Sequence, residues 1–218
     1  RLHSIMTAFP LFIELENKPC LVLGGGNVAL RKVKTLLKYG AGVTVWAKDF
    51  LEDFKELEAA GSVKCVERTL LFSICDEALD KFTMVICATN DVALNHTVCE
   101  MAKQRHIWVN SATDKEDSNF IFPAVVVRGN VSVGVSSSSK TPSLTKHVRT
   151  KIDALLPAWY ADFENRLKEL RQMAGQELPT QVMRRDFMTA VTAYGAAHQG
   201  DISDAVVQEI FASVRNNS

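Results

Sequence analysis

The fold is decided near the start of the chain by residues 21–29, which read Leu-Val-Leu-Gly-Gly-Gly-Asn-Val-Ala. A short apolar run over residues 19–23 leads into three glycines, and apolar side chains then recur at helical spacing up to about residue 39. Gly24 permits a tight turn, Gly26 lets the backbone approach a pyrophosphate, and small Ala29 allows close packing of helix on strand. The stretch therefore predicts a strand, a G-x-G-x-x-A turn and a helix whose amino end binds phosphates.

Strands and helices continue to alternate after this motif. Apolar runs predict four further strands, at residues 43–46, 63–66, 82–88 and 107–110, and helical patterns lie at 51–60 and 91–105. Strands separated by helices at this spacing favour a parallel sheet with right-handed crossovers. We therefore predict an α/β fold in which residues 1–118 form a Rossmann-like domain that binds NAD.

The pattern changes after about residue 118. Two β-rich runs, at residues 122–127 and 131–135, flank Gly129-Asn130, which suits a tight hairpin turn. Thr141 and Pro142 then suit the N-cap and first turn of a helix that reaches about residue 155. The remaining sequence reads as helices broken near residues 175–179 and 195–200. We predict a small α+β segment over residues 119–156 and a helical domain over residues 157–218.

The predicted cofactor site uses the carboxyl ends of several strands, where ligands bind to open parallel sheets. Asp49 follows the second strand slightly later than the acid that usually holds the adenosine ribose, and Lys48 would instead suit a 2′-phosphate. NAD is preferred over NADP on this basis. Thr89 would face the same crevice, or would simply be the N-cap of the next helix. The glycine turn and the loops after the second and fourth predicted strands together predict cofactor contacts from Gly24, Gly25, Gly26, Lys48, Asp49, Thr89 and Asn90.

Composition and charge argue against several classes of protein. Lys and Arg (25) balance Asp and Glu (25), so neither a nucleic acid nor a membrane is an expected partner. No run of 18 apolar residues predicts a membrane span. Five cysteines without a CxxC pair indicate free thiols in a reducing cytoplasm, and no spacing of His, Cys or acids predicts a metal site. Residues 120–152 contain basic but no acidic side chains, which suits either an anionic ligand or a solvated helix.

Several motifs occur together in a fixed order along the chain. Besides the glycine turn they are Phe9-Pro10-Leu11-Phe12, Arg31-Lys32, Ala88-Thr89-Asn90-Asp91 with Asn95, residues 120–124 (Phe-Ile-Phe-Pro-Ala), and Ser136-Ser137 followed by Thr141-Pro142. Over residues 9 to about 157 this set resembles the precorrin-2 dehydrogenase family, the N-terminal region of siroheme synthases. The resemblance implies a homodimer, with residues 119–156 as its dimerisation segment. It also implies NAD-dependent oxidation of precorrin-2 to sirohydrochlorin, and some members insert ferrous iron.

The same resemblance places further residues in the site. It adds Asn27 and Val28 to the nucleotide contacts, mainly through their backbone groups. Its catalytic aspartate lies a few residues after Asn110, where an ungapped register puts Thr113. We predict that the adjacent Asp114 takes this role, with Asp117 as second choice. The predicted substrate contacts are Asn110, Ser136, Ser137 and Lys140, although a run of serines is also typical of a flexible linker.

Oxidation of precorrin-2 removes a hydride, which the cofactor would accept, and a proton, which Asp114 would accept. The many carboxylates of this tetrapyrrole suit the basic side chains of residues 120–152. Three alternatives stay open: an enzyme that also inserts ferrous iron, a dinucleotide-sensing module without chemistry, and a dehydrogenase of another substrate on the same scaffold.

Overall fold

Five parallel strands form the central sheet of the first part of the chain. The computed structural model describes residues 8–67, 78–138 and 141–216. The strands are β1 (Pro19–Leu23), β2 (Gly42–Ala47), β3 (Val63–Glu67), β4 (Met84–Cys87) and β5 (Trp108–Ser111). All four side chains of β4 are buried, as is typical of a central strand covered on both faces.

Three helices connect these strands and cover the sheet. They are α1 (Asn27–Leu37), α2 (Glu52–Ala59) and α3 (Val92–Gln104). On one face, Val33 of α1 belongs to the same buried cluster as Val22 of β1. On the other face, Val98 of α3 clusters with Val85 of β4. The α/β class predicted from the sequence is confirmed, because helices alternate with parallel strands and cover both faces of the sheet.

The order of the strands determines where a ligand can bind. Within the sheet they lie in the order β3-β2-β1-β4-β5, and every neighbouring pair is parallel. Chain connections therefore proceed outward in opposite directions from β1 and β4. Such a reversal leaves a crevice at the carboxyl ends of the strands, where doubly wound sheets bind nucleotides. Leu23 of β1 is paired with Trp46 and with Cys87, so the carboxyl ends of β1, β2 and β4 are level.

The second part of the chain begins with a hairpin and a helix. Strands β6 (Ala124–Arg128) and β7 (Val131–Val135) pair antiparallel, and Gly129 between them has a φ of +56°. Helix α4 (Pro142–Leu155) has Thr141 at its N-cap and proline in its first turn, as predicted. The Arg128 guanidinium donates to Asp153 Oδ1 at 2.7 Å, which ties the hairpin to this helix.

Three further helices pack around a core of their own. They are α5 (Trp159–Glu177), α6 (Gln181–Ala197) and α7 (Asp204–Asn216). Phe187 of α6 stacks on Phe211 of α7 with ring centroids 4.1 Å apart, and both rings are buried with Leu170 of α5. The two predicted helix breaks are present, because residues 178–180 and 198–203 separate these helices.

Internal packing divides the chain into two compact units, residues 1–122 and 123–218. The further division at about residue 156, and the boundaries of the three predicted domains, stay predictions. In the part of the chain that the structure describes, no helix combines the length and the apolar character needed to span a membrane. Lys140, a predicted substrate contact, lies outside the described residues.

Candidate functional site

The turn after β1 is confined between the ends of the neighbouring strands. Gly24 has a φ of +116°, and a Cβ atom at this position would collide with the carbonyl oxygen of Ala88, which follows β4. Its N–H donates to the carbonyl of Trp46 in β2 at 2.9 Å. Only glycine combines this backbone conformation with so close an approach. The structure therefore explains the first glycine of the motif by its conformation and its packing.

Gly25 has a role that the sequence motif does not reveal. A Cβ atom here would overlap the carbonyl oxygen of Asp49, in the loop between β2 and α2. The same loop donates a hydrogen bond from the N–H of Leu51 to the carbonyl of Gly25 at 3.0 Å. The motif treats this position as variable, so its packing role could not be predicted from the motif. The predicted cofactor contact at Gly25 stays a prediction beside this packing role.

Gly26 and the start of α1 leave a set of backbone donors open. Gly26 is the N-cap of α1, and no atom lies within 4 Å of the position its Cβ would take. No side chain caps the helix, and its first turn carries no acid. The exposed Val28 follows one residue into the helix. Uncapped N–H groups at the positive end of a helix dipole suit a diphosphate.

The loop after β4 is held rigid by an amide. The hydroxyl of Thr89 donates to Oδ1 of the fully buried Asn95 at 2.7 Å, and Asn95 Nδ2 donates back to the Thr89 carbonyl at 3.0 Å. The alternative that Thr89 caps α3 is wrong, because Asp91 is the N-cap and accepts from the N–H of Leu94. The exposed Asn90 thus stands between two fixed neighbours at the carboxyl end of the sheet.

Thr113 and Asp114 are both exposed after β5, and their side chains have different hydrogen-bond partners. The Thr113 hydroxyl lies 3.0 Å from that of Ser111 and accepts from Asn95 Nδ2 at 3.3 Å. Asp114 is exposed, and its Oδ1 accepts from the N–H of Glu116 at 2.9 Å. The hydroxyl that occupies the expected aspartate position is thus engaged in the protein, while the adjacent carboxylate faces solvent beyond the end of β5.

The Asn110 side chain is buried, and both ends of its amide have partners in the protein. Its Nδ2 donates to the carbonyl of Phe120 at 3.2 Å, and its Oδ1 accepts from the ammonium of Lys32 at 2.9 Å. These bonds tie the end of β5 to the segment that leaves it, so the amide has a structural task. Its predicted contact with substrate stays a prediction.

Lys32 of α1 is a charged residue that the sequence analysis did not single out. It is 9% exposed, and its ammonium lies 4.1 Å from the centre of the Phe122 ring. Burial, with a smaller contribution from the positive charge of Arg31, lowers the pKa of Lys32 to about 8. The amide oxygen of Asn110 and the Phe122 ring stabilise the ammonium only in part. Burial therefore still raises the free energy of the charged form.

This burial predicts a pH-dependent stability. At pH 7 both folded and unfolded chains are protonated at Lys32, so the folded state bears the full cost of burying the charge. Between about pH 8 and 10.5 the folded chain has lost this proton, whereas the unfolded chain still carries it. The stability of the wild type relative to Lys32→Met should therefore rise by about 2 kcal/mol between pH 7 and 10. Urea unfolding of both proteins under reducing conditions measures it.

Lys34, half exposed on the same helix and paired with Asp53, provides the matched control. Because Lys34 is not buried, the rise with pH should be smaller for Lys34→Met than for Lys32→Met. A difference for Lys32→Met that does not change with pH would show that burial does not lower the pKa of Lys32.

Asp117, the second choice for the base, is buried and contacts a histidine. Its Oδ1 lies 2.6 Å from Nδ1 of His96 on α3, and Glu100 lies one helical turn further along the same face. This hydrogen bond to Asp117 raises the pKa of His96. The sequence analysis missed this group of side chains. The i, i+4 spacing of His96 and Glu100 was the available signal, but only the fold brings Asp117 to it.

The serines predicted to contact substrate, Ser136 and Ser137, lie between β7 and α4 and accept hydrogen bonds there. Ser137 Oγ accepts from the N–H of Thr141 at 3.2 Å and from the hydroxyl of Thr145 at 2.7 Å. Ser136 Oγ accepts from the N–H of Ser138 at 3.1 Å. These bonds involve Ser136, Ser137 and Ser138, and the alternative of a flexible linker over the whole serine run stays open. Their contact with substrate stays a prediction.

Lys48 and Asp49 both lie exposed in the loop after β2. A cavity of about 370 Å³ opens beside them, with Glu58 and Lys55 of α2 and Cys65 of β3 in its wall. The carboxylate and the ammonium are therefore both accessible to a ligand at this end of the crevice.

Comparison with known proteins matches this geometry to a family. The sequence family described as "Putative NAD(P)-binding" matches residues 11–124, just over half of the chain. This range contains the whole five-stranded sheet and every loop at its carboxyl end. The prediction of a nicotinamide dinucleotide as cofactor is confirmed at the level of NAD(P).

Individual relatives extend the similarity beyond this range. Siroheme synthase 2 of Yersinia enterocolitica is 33% identical over 203 residues, which cover 93% of this chain and 42% of the relative. Siroheme synthase 1 of the same organism is 36% identical over 182 residues, covering 84% and 38%, and the siroheme synthase of Psychromonas ingrahamii is 36% identical over 176 residues, covering 78% and 36%. The predicted resemblance is thus confirmed, and the chain spans about two fifths of the length of these relatives.

A solved structure shares the fold over nearly the whole chain. The protein titled "SirC, precorrin-2 dehydrogenase" superposes with a TM-score of 0.73 and 24% sequence identity, covering 96% of this chain and 100% of that one. The family match agrees with the glycine turn and with the open amino end of α1. The protein belongs to the NAD(P)-binding family whose members share this Rossmann-type domain.

Proposed function

We propose that this chain catalyses the NAD-dependent oxidation of precorrin-2 to sirohydrochlorin. The observation that carries the proposal is the uncapped amino end of α1 behind Gly26, in a chain that is 33–36% identical to siroheme synthases. A phosphate-binding helix end positions a dinucleotide in the crevice of the sheet. When bound, NAD⁺ supplies a hydride acceptor. The protein must then hold the substrate and remove a proton from it.

Asp114 is the proposed base. Its exposed carboxylate lies beyond the end of β5, in a loop whose conformation is fixed by hydrogen bonds to Ser111 Oγ and from Glu116 N–H. Because the hydroxyl of Thr113 is engaged by Asn95, the neighbouring carboxylate is the available acid at this position. A fixed carboxylate can accept a proton from a substrate carbon as hydride leaves it.

NAD is proposed over NADP as the natural cofactor. Exposed Asp49 lies two residues beyond β2, and its carboxylate can accept hydrogen bonds from ribose hydroxyls at the neighbouring cavity. Lys48 is the competing feature, because an ammonium there would suit a 2′-phosphate. We place the protein in the cytoplasm, since Cys20, Cys65 and Cys87 are free thiols.

The substrate proposal is tested by anaerobic spectroscopy of the whole chain with precorrin-2 and NAD⁺. The expected result is the absorption spectrum of sirohydrochlorin together with an equal amount of NADH. NAD⁺ binding without turnover would instead support a dinucleotide-sensing module. Turnover of a different 2-electron donor, with none of precorrin-2, would support a dehydrogenase of another substrate.

Iron insertion is a second candidate activity, and the name siroheme synthase of the relatives favours it. Here ferrous iron is a substrate. Sirohydrochlorin incubated anaerobically with Fe²⁺ or Co²⁺ should give the metallated macrocycle faster with the protein than without it. Equal rates would restrict the chain to the dehydrogenase reaction.

We also propose that the chain forms a homodimer through the hairpin and α4. Every residue of α4 is described and none is buried, although Leu144 and Leu155 are apolar and more than half exposed. A two-stranded sheet is marginal by itself and gains stability from further cover. Sedimentation should give a dimer for the wild type and a monomer for the double variant Leu144→Asp/Leu155→Asp. Val182→Asp, at an equally exposed position on α6, is the control.

A further inference from the structure

We propose that His96, Glu100 and Asp117 form a binding site for a divalent transition-metal ion such as Co²⁺ or Zn²⁺. The site is independent of the proposed oxidation, because it needs neither the dinucleotide nor the substrate. It joins two segments of the first unit, the exposed face of α3 and the loop that follows β5.

The three side chains converge without rearrangement of the backbone. His96 and Glu100 are separated by one turn of α3 and so share a face of the helix. Asp117 approaches them from the loop after β5, and one potential ligand atom from each side chain lies within 4.8 Å of the others. Imidazole nitrogen and carboxylate oxygen are both ligand types that divalent transition metals accept in proteins.

Charge supplies the second argument. The Asp117 side chain is only 8% exposed, yet its Oδ1 lies against an imidazole that is 60% exposed. A buried carboxylate is costly unless a cation compensates it. A metal ion held by His96 and Asp117 supplies this compensation and gains Glu100 as a third ligand.

The geometry requires a small adjustment. His96 Nδ1 and Asp117 Oδ1 are 2.6 Å apart, whereas two ligands with bonds of about 2.0 Å to one tetrahedral ion are about 3.3 Å apart. Rotation of the exposed imidazole provides this opening. Lys103 donates to Glu100 Oε1 at 2.9 Å, and a carboxylate has a second oxygen for the ion.

The ligand set also selects the class of ion. Mg²⁺ and Ca²⁺ prefer ligands that are all oxygen, whereas an imidazole nitrogen favours first-row transition metals. Co²⁺ and Zn²⁺ should therefore bind in preference to Mg²⁺. Three protein ligands leave further coordination positions to water. We therefore expect the bound ion to exchange with ions in solution.

Calorimetric titration of the whole reduced chain with Co²⁺ tests the site. The wild type should bind one Co²⁺, and His96→Ala should bind it more weakly by at least the ~10–100-fold that loss of an outer-shell partner costs. Asp117→Asn, which preserves the shape of the side chain, should weaken it similarly. His147→Ala, at an exposed histidine of α4, should bind like the wild type. Thermal unfolding without metal confirms that each variant is folded.

Two results would overturn the site. Equal Co²⁺ affinity of the wild type and His96→Ala would assign the ion to other groups, such as the free thiols. Absence of binding at millimolar Co²⁺ would show that the cluster is an ion pair only. An excess of Mg²⁺ should leave the bound Co²⁺ in place, and displacement by equimolar Mg²⁺ would contradict the proposed ligand set.

Discussion

Gly26→Val should weaken NAD⁺ binding by at least about 100-fold, or about 2.7 kcal/mol, while the protein stays folded. Gly26 has a φ of −94° and a ψ of −175°, which a β-branched residue adopts freely. No atom lies within 4 Å of the added Cβ, so the substitution meets no neighbour at this atom in the unliganded protein. It would occupy the space in front of the α1 amino end, where the pyrophosphate is proposed to bind. Fluorescence titration with NADH measures the affinity.

Two other glycines separate a loss of binding from a loss of folding. Valine is a poorer N-cap than glycine, so Gly26→Val itself should cost no more than about 1 kcal/mol of stability. Gly175→Val places the same side chain in open space on α5 and should leave binding unchanged. Gly25→Ala should instead destabilise the fold by about 1–3 kcal/mol, because its Cβ overlaps the Asp49 carbonyl. Retained NADH affinity in Gly26→Val would mean that the nucleotide lies elsewhere.

Asp114→Ala should lower the rate of precorrin-2 oxidation by at least about 100-fold, the lower end of what a positioned base contributes. The exposed carboxylate accepts a hydrogen bond from the N–H of Glu116, so its removal should cost little stability. NAD⁺ affinity should not change, since the cofactor contacts are assigned to other loops. Anaerobic turnover and NADH titration, performed on the same preparation, separate the two effects.

Glu116→Ala is the matched variant for this experiment. Glu116 lies in the same exposed loop, and its backbone N–H, which holds Asp114, is kept on substitution. Its turnover should stay near that of the wild type. If Asp114→Ala turned over as fast as Glu116→Ala, the proton would have to leave through another group and Asp114 would be removed from the mechanism.

Local sequence was sufficient for the elements of the fold. The strand at Pro19–Leu23 and the helix at Pro142–Leu155 have the predicted bounds, because burial pattern, glycine and proline signals coincide there. Thr89 was the weaker case, since two possible N-caps lie two residues apart. The backbone conformation after β4 selects Asp91, and side-chain bonds to Asn95 occupy Thr89.

The sequence by itself predicted the Rossmann-type sheet and the glycine turn, because the apolar periodicity and the turn residues of each element lie close together in the chain, and the order of its motifs carried the family resemblance. Only the tertiary structure decided what happens where distant segments meet. It buried Lys32 beside Asn110, bonded the Thr113 hydroxyl to Asn95, and brought Asp117 to His96. Burial and the partners of a charge depend on contacts across 18 to 78 positions of sequence, which local periodicity does not encode.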